Sequence, residues 1–364
     1  MKVSQIISYL ESIAPLSLQE SYDNSGLLIG SSEKEITKAL ITLDITPEVM
    51  EEALKEDCNL IIAHHPLIFK GIKKLNGGNM VEDLVIKAIK NDIAVYAIHT
   101  NLDNVNNGVN SKLADRLGLT NRRILLPLPG KLKKLIVFCP NSHADAVREA
   151  MLASGAGYIG NYSHTSFNIQ GTGSYKPLPG SNPFLGEVNK IHYEKETKIE
   201  TIVPDFLLNY VISEMIKVHP YEEVAYDIIP LQNKDMKLGA GMFGELKVPE
   251  LPETFLKKIK KSLNAKVIKH SPLLKKKISK IAICGGSGSF LINEAAKHKA
   301  DIFVTADLKY HDYFLYNNQM ILVDAGHYET EQFTKELLFE ILTKKFPTFA
   351  LQISRINTNP VSVL

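Results

Sequence analysis

Through the first 120 residues, apolar runs of strand length alternate with amphipathic stretches. "ALITLDIT", "NLIIAHH" and "DIAVYAIHT" are almost continuously apolar. Between them, "TPEVMEEALKEDC", "MVEDLVIKAIKN" and "GVNSKLADRLGL" carry apolar residues at helical spacing. Strands apolar on both faces, alternating with helices, predict a mostly parallel sheet covered on both sides. End signals agree: Thr46 is a predicted N-cap with Pro47 at the first helical position and Glu48 and Glu51 in the first turn, and Gly118 is a predicted C-cap. At the N-terminus, Val3, Ile6, Ile7 and Leu10 fall on one helical face and Glu11 interrupts the run, so an amphipathic helix is expected there and not a signal peptide. "SYDNSGLLIG" then reads as a polar turn leading into a short strand.

The same style returns near the C-terminus. "KIAICGGSGSFLINEAAKHKADIFVTADL" reads as strand, glycine-rich turn, helix and strand; "QMILVDAGHYETEQFTKELLFEILTKKF" as a strand and one long helix; "FALQISRIN" as a closing strand. The middle differs. There, strands, a helix, a hairpin region, alternating strands, a second helix ("DFLLNYVISEMIKVHPY") and a last strand ("VAYDIIPL") follow one another. This is a split βαβ, ferredoxin-like layout of about a hundred residues. The predicted fold class is therefore α/β: an N-terminal α/β half (1–129), an inserted ferredoxin-like α+β domain (130–235), and a C-terminal α/β half (236–364) completing the first domain. A chain of 364 residues agrees with two or three domains at ~150 residues each.

Composition narrows the classes. With 45% apolar and 23% charged residues the chain is ordinary for a globular protein, and 42 Lys and Arg against 40 Asp and Glu leave +2, no broad lure for nucleic acid. The Lys-rich stretch 257–280 reads as a solvated face, with a phosphate-bearing or nucleic-acid partner as the lesser alternative. Cys58, Cys139 and Cys284 are scattered in apolar contexts and are expected to be buried free thiols of a reducing compartment. No run approaches ~18 apolar residues, so no membrane partner is expected and the cytoplasm is the default location.

Chemistry concentrates where apolar strands end, the position at which open α/β sheets bind ligands. "NLIIAHHP" ends in His64 and His65, "DIAVYAIHTNLD" in His99 and then Asp103, and "QMILVDAGHYETE" in Asp324, His327 and Glu331. His327 and Glu331, four apart, share one face of the helix expected after Gly326. Neighbouring strand residues point to opposite faces, and Pro66 holds His65 extended, so the two adjacent imidazoles are expected to diverge and serve two ions rather than one. His64, His65, Asp103, His327 and Glu331 supply donors for a dinuclear site with open positions. His99 is either near such a site or bonded to an acid. Asp307 and His311, four apart after "DIFVTA", are candidates for acid–base work or substrate contact in the same cleft. The "CGGSGSF" turn (285–289) is a tight strand–helix turn or an anion loop, though it lacks the Lys-Ser/Thr of a P-loop. Tyr22, Asp23 and Asn24 form a turn or a cleft rim, and "HPYEE" at 219–223 a turn after a helix.

Together, "YDNSGLLIG", "AHHPLIF", "HTNLDN", "TADLKYH" and "DAGHYETE" resemble the signature blocks of the NGG1-interacting factor 3 family, whose bacterial members are called GTP cyclohydrolase 1 type 2 homologues. The middle segment resembles the PII/CutA-like insert of the longer bacterial members. The resemblance implies a dinuclear metal site on His64, His65, Asp103, His327 and Glu331, none of them substituted here. It also implies a toroidal homohexamer with inserts capping the openings. The expected function is a metal-dependent hydrolase with two divalent ions, acting on a nucleotide or similar ring compound, with Glu331, Asp307 or His311 moving the proton. Zinc ranks first, with iron, manganese and cobalt as alternatives. The competing expectation is a non-catalytic metal-binding regulator or assembly protein with a ligand-sensing insert.

Overall fold

A computed structural model describes all residues, 1–364. The chain forms two units, one made of residues 1–127 with 237–364 and the other of residues 128–236. The first unit contains two sheets. In one, the strand order is Gly26–Ile29, Ala94–Ala97, Leu60–Ala63, Lys38–Thr42 and Ala350–Ile353. All neighbours in it are parallel except Gly26–Ile29, which pairs antiparallel with Ala94–Ala97. The second sheet runs Lys269–His270, Ile321–Asp324, Ile302–Ala306, Ile278–Ser287, Lys234–Glu250 and Thr120–Pro129, with a parallel core of Ile278–Ser287, Ile302–Ala306 and Ile321–Asp324.

The apolar runs explain this layering. Leu60, Ile61, Ile62 and Ala63 are all fully buried, as are Ala94 through Ala97, because helices cover both faces. Helix Pro47–Lys55 starts as its sequence directs, with the Thr46 side chain accepting the Val49 N–H, and helix Val109–Leu117 stops at Gly118, which adopts φ 70°. Two sheets share the unit, and the final strand, Ala350–Ile353, pairs with Lys38–Thr42 at the other end of the chain. One expectation is corrected. The long helix expected after Gly326 is broken into His327–Glu331 and Thr334–Lys345. The Thr330 hydroxyl lies 3.0 Å from the Gly326 carbonyl and 2.9 Å from the His327 carbonyl, back-bonding that competes with helix continuation.

Register positions the chemistry. Thr42, Ala63 and Ala97 lie side by side at the carboxyl ends of three parallel strands, so the residues that follow each strand emerge on one edge. In the second sheet Thr305 lies beside Asp324, which likewise brings Asp307 and His327 to a common edge.

The unit 128–236 has the chain order strand Leu132–Pro140, helix Ala144–Ala153, strands Phe167–Tyr175 and His192–Pro204, helix Leu208–Val218, and strand Tyr226–Leu231. Its four antiparallel strands are arranged Phe167–Tyr175, His192–Pro204, Leu132–Pro140, Tyr226–Leu231. Leu135, Val137, Ile199 and Val203 on one sheet face pack with Val147, Met151, Val211 and Met215 of the two helices. Cys58, Cys139 and Cys284 are free and buried, and no helix of the chain is long and apolar enough to cross a membrane.

Candidate metal centre

The regular strand ends at Ala63. The His64 and His65 amides still donate to the Thr42 and Leu43 carbonyls (3.2 and 2.9 Å), but on consecutive residues, which is not the alternating pattern of a parallel ladder. His64 and His65 lie with ring centroids 4.9 Å apart, and His99 stands 5.3 Å and 5.2 Å from them. His327, arriving from the second sheet, lies 5.4 Å from His65. Four imidazoles from three strand ends thus meet in one cluster.

Each ring is oriented from behind through Nδ1. His64 donates to the Ile98 carbonyl (2.8 Å), His65 to Asp44 (2.7 Å), His99 to Asp23 (2.7 Å) and His327 to Asp307 (2.6 Å). An outer acceptor on Nδ1 fixes the tautomer and turns Nε2 toward the interior, the pattern found behind metal-binding histidines. In the interior sits the buried carboxylate of Glu331. Its Oε2 is 3.0 Å from His65 Nε2 and 3.1 Å from His327 Nε2, and its Oε1 is 4.0 Å from His64 Nε2. Asp103 completes the group, with Oδ1 3.8 Å from His64 Nε2.

Two sets of donors emerge, His64 with Asp103 and Glu331, and His65 with His327 and Glu331; within each, the donor atoms lie within 4.8 Å of one another. A third set, His64, His65 and His99, meets the same limit. The sets built on the acids share only Glu331. The electrostatics indicate what these residues are suited to hold. His64 Nε2 and Asp103 Oδ1 are both buried and have no hydrogen-bond partner. Because His64 gives its one proton to Ile98, Nε2 presents a lone pair to two carboxylate oxygens. Buried acceptors facing one another are costly unless a cation lies between them. The donor chemistry therefore fits a metal ion.

Protonation follows the same geometry. Burial pushes His64 down to about 3, despite the pull of Glu331. Burial also opposes charge on His65, but its bonds to Asp44 and Glu331 outweigh that and raise it to about 10. His327 is raised to about 9 against burial by Glu331 and Asp307. Burial and the neighbouring Glu331 charge hold Asp103 well above the usual carboxylate range; Glu331 itself is held well below it by His327 and His65, against burial.

The glycine-rich turn has a different task from anion binding. Gly286 has φ 59°, and a Cβ there would stand 2.2 Å from Glu331 Oε1 and 3.2 Å from His327 Nε2. Its N–H donates to the Thr330 hydroxyl, and the Gly285 N–H to Asn110 Oδ1. The turn makes room for Glu331, and the Gly285 and Gly286 amides are already engaged. Of the two acid–base candidates, Asp307 reaches the cluster through His327, whereas exposed His311 contacts Tyr310 and Phe314 instead.

A cavity of about 440 Å3 opens onto the cluster, lined among others by Tyr22, Phe69, His99, Asp103, Phe290 and Glu331. Tyr22 thus belongs to its rim, and Asp23 carries His99 and also accepts from Thr100 and Ser25. Asp44 is an addition to the residues singled out in the sequence. It ends the apolar run "ALITLD" as His64 ends its own, so the strand-end rule points to it too. Nothing in "SYDNSG" marks Asp23 as the partner of a histidine 76 positions away.

Relatives agree in extent. A protein of Halalkalibacterium halodurans named GTP cyclohydrolase 1 type 2 homolog is 39% identical over 364 residues, covering 99% of this chain and 98% of that one. A Bacillus subtilis protein of the same name is 39% identical over 370 residues, with the same coverage. The crystal structure of a Bacillus cereus protein related to NIF3 superposes with a TM-score of 0.88 at 38% identity, over 100% of this chain and 99% of that one. With the Duf34/NIF3 (NGG1p interacting factor 3) description matching residues 1–360, the chain belongs to that family.

Proposed function

We propose that the chain is a metal-dependent hydrolase that uses two divalent ions, with zinc ranked before iron, manganese and cobalt, and acts on a nucleotide or similar small ring compound. The observation that carries this reading is the pair of donor sets sharing Glu331, with His64 Nε2 and Asp103 Oδ1 buried and facing each other. His64, Asp103 and Glu331 would hold one ion, and His65, His327 and Glu331 the other. Bound divalent ions supply Lewis acidity and a water acidic enough to act as a nucleophile near neutral pH. The remaining work falls to the chain. Asp44 and Asp307 keep His65 and His327 aimed at Glu331. Asp307, half-exposed, is the acid we assign to proton exchange with solvent; His327, with Nδ1 on Asp307 and Nε2 given to the ion, would orient and not carry that proton. Tyr22 and Phe69, exposed with ring centroids 6.3 Å apart at the cavity rim, are placed to receive a planar ring.

The names of the relatives point to GTP. Incubating the metal-loaded protein with GTP is expected to release formate and a pteridine-type product. Their absence with zinc, iron, manganese and cobalt alike would remove the cyclohydrolase reading.

We read residues 128–236 as a ferredoxin-like, PII/CutA-like insert; the strand–helix–strand–strand–helix–strand order and the strand arrangement support this. Exposed Phe167, Ile169 and Ile229 on the helix-free sheet face favour self-association, in keeping with a homohexamer. A separate cavity in this unit favours the second reading, a non-catalytic regulator whose insert senses a ligand. His64→Ala and Glu331→Gln separate the two. Turnover lost with an intact oligomer supports the hydrolase; an inactive wild type whose oligomer collapses on either substitution supports the regulator.

A further inference from the structure

The unit 128–236 holds a cavity of about 340 Å3 that plays no part in the metal cluster. Four aromatic residues line it, Phe138 and three whose rings meet one another. Tyr175 ends the strand Phe167–Tyr175, Tyr221 follows the helix Leu208–Val218, and Phe184 lies on the connection between two strands. The Tyr175 and Tyr221 ring centroids are 5.7 Å apart, and those of Phe184 and Tyr221 are 6.4 Å apart. Both tyrosine hydroxyls are committed: Tyr175 donates to the Leu185 carbonyl (3.0 Å) and Tyr221 to Glu196 Oε1 (2.9 Å). What the rings offer the cavity is therefore aromatic carbon and not hydroxyl groups, with Tyr175 and Phe184 tilted by 64° and 52° against Tyr221.

Glu196, half-buried on the strand His192–Pro204, supplies the charge. A Cβ on Gly173 of the adjacent strand would lie 2.1 Å from Glu196 Oε2, so the strand carries glycine where this carboxylate lies across it. The Asn182 N–H donates to Glu222 Oε2 (2.8 Å), which ties the connecting loop over the site. Among the charged residues lining the cavity, Glu196, Glu222 and Glu223 face a single cation, Lys176.

Aromatic faces around a carboxylate attract cations. The ring quadrupole presents negative charge to an ion above it, and the carboxylate adds a counter-charge. An anion would meet three like charges, and a neutral apolar ligand would desolvate Glu196 without repaying it. We propose that this cavity binds a small organic ammonium ion, with Glu196 as counter-charge and Tyr175, Phe184 and Tyr221 as its walls. The inference rests on residues of this unit alone and does not depend on the metal reading.

The test is calorimetric titration of the full chain with choline chloride, n-butylammonium chloride and 3,3-dimethylbutan-1-ol, the neutral carbon isostere of choline. At least one ammonium probe is expected to bind, with the neutral isostere at least about tenfold weaker, and Glu196→Gln to weaken the ammonium probe by about tenfold. Phe184→Leu, at a half-exposed loop position where folding is least at risk, is expected to weaken it as well, with thermal melts confirming that both variants fold. The proposal is overturned if neither ammonium probe binds, if the isostere binds as tightly, or if both substitutions leave binding unchanged.

Discussion

Asp44 shows how far the site extends beyond the groups that face its centre. It accepts from His65 Nδ1 and from the Thr358 hydroxyl, so it fixes a ring and is itself fixed from the C-terminal tail. Asp44→Ala is expected to lower metal affinity about 10- to 100-fold while leaving the fold intact, measured by competition with a chelator. An unchanged affinity would remove the outer carboxylate from the account. Protonation gives a second test. His65 and His327 start from a reference value of 6.5 and rise in the folded chain to about 10 and about 9. A raised pKa means that the folded state holds the proton more tightly. The resulting stabilisation is complete below pH 6.5 and is lost as pH climbs through 9 and 10. The metal-free protein is therefore expected to melt at lower temperature at pH 10 than at pH 7. Metal binding must displace the same protons, so affinity is expected to rise across that window, and calorimetry in buffers of different ionisation enthalpy should show proton release.

The turn after strand Ile278–Ser287 is the element on which the centre closes. Gly286 combines a positive φ with a Cβ position occupied by Glu331. Gly286→Ala is expected to cost about 1–3 kcal/mol of stability and to weaken metal retention, because Glu331 has to move. Gly171→Ala, at a strand position with nothing within 4 Å, is the control and should leave metal content unchanged. Chemical denaturation and elemental analysis read both. In the sequence this turn reads as a tight strand–helix turn, with an anion loop as the lesser alternative, since glycine spacing alone does not reveal whether the space is kept for a ligand or for a side chain 45 residues further on. The histidine pair was legible for a similar reason in reverse. An apolar run ending in two imidazoles and a proline is local information, as is the i, i+4 pair of His327 and Glu331. Whether strand alternation extends through His64 and His65 is decided by where the regular ladder with the neighbouring strands ends, which the local pattern does not encode.

Across the molecule, the centre depends on both ends of the chain. Strand Ala350–Ile353 closes the sheet that carries His64, His65 and His99, and beyond it Thr358 bonds Asp44 and Asn359 bonds Glu329. Residues 1–127 alone thus lack an edge strand of their own sheet and Glu331. Periodicity identified this final strand but could not say that its partner is Lys38–Thr42, because pairing across three hundred residues leaves no mark on either segment. Removing residues 354–364 is expected to lower metal affinity in the same direction as Asp44→Ala, by freeing Asp44. An unaltered affinity in the truncated chain would limit the tail to a packing role. The most direct measurement is anomalous diffraction at the absorption edge of the metal found in carefully purified protein. Two peaks per chain flanking the Glu331 carboxylate, one beside His64 and Asp103 and the other beside His65 and His327, are expected; a fully occupied single peak, or peaks away from Glu331, would contradict the shared-carboxylate centre.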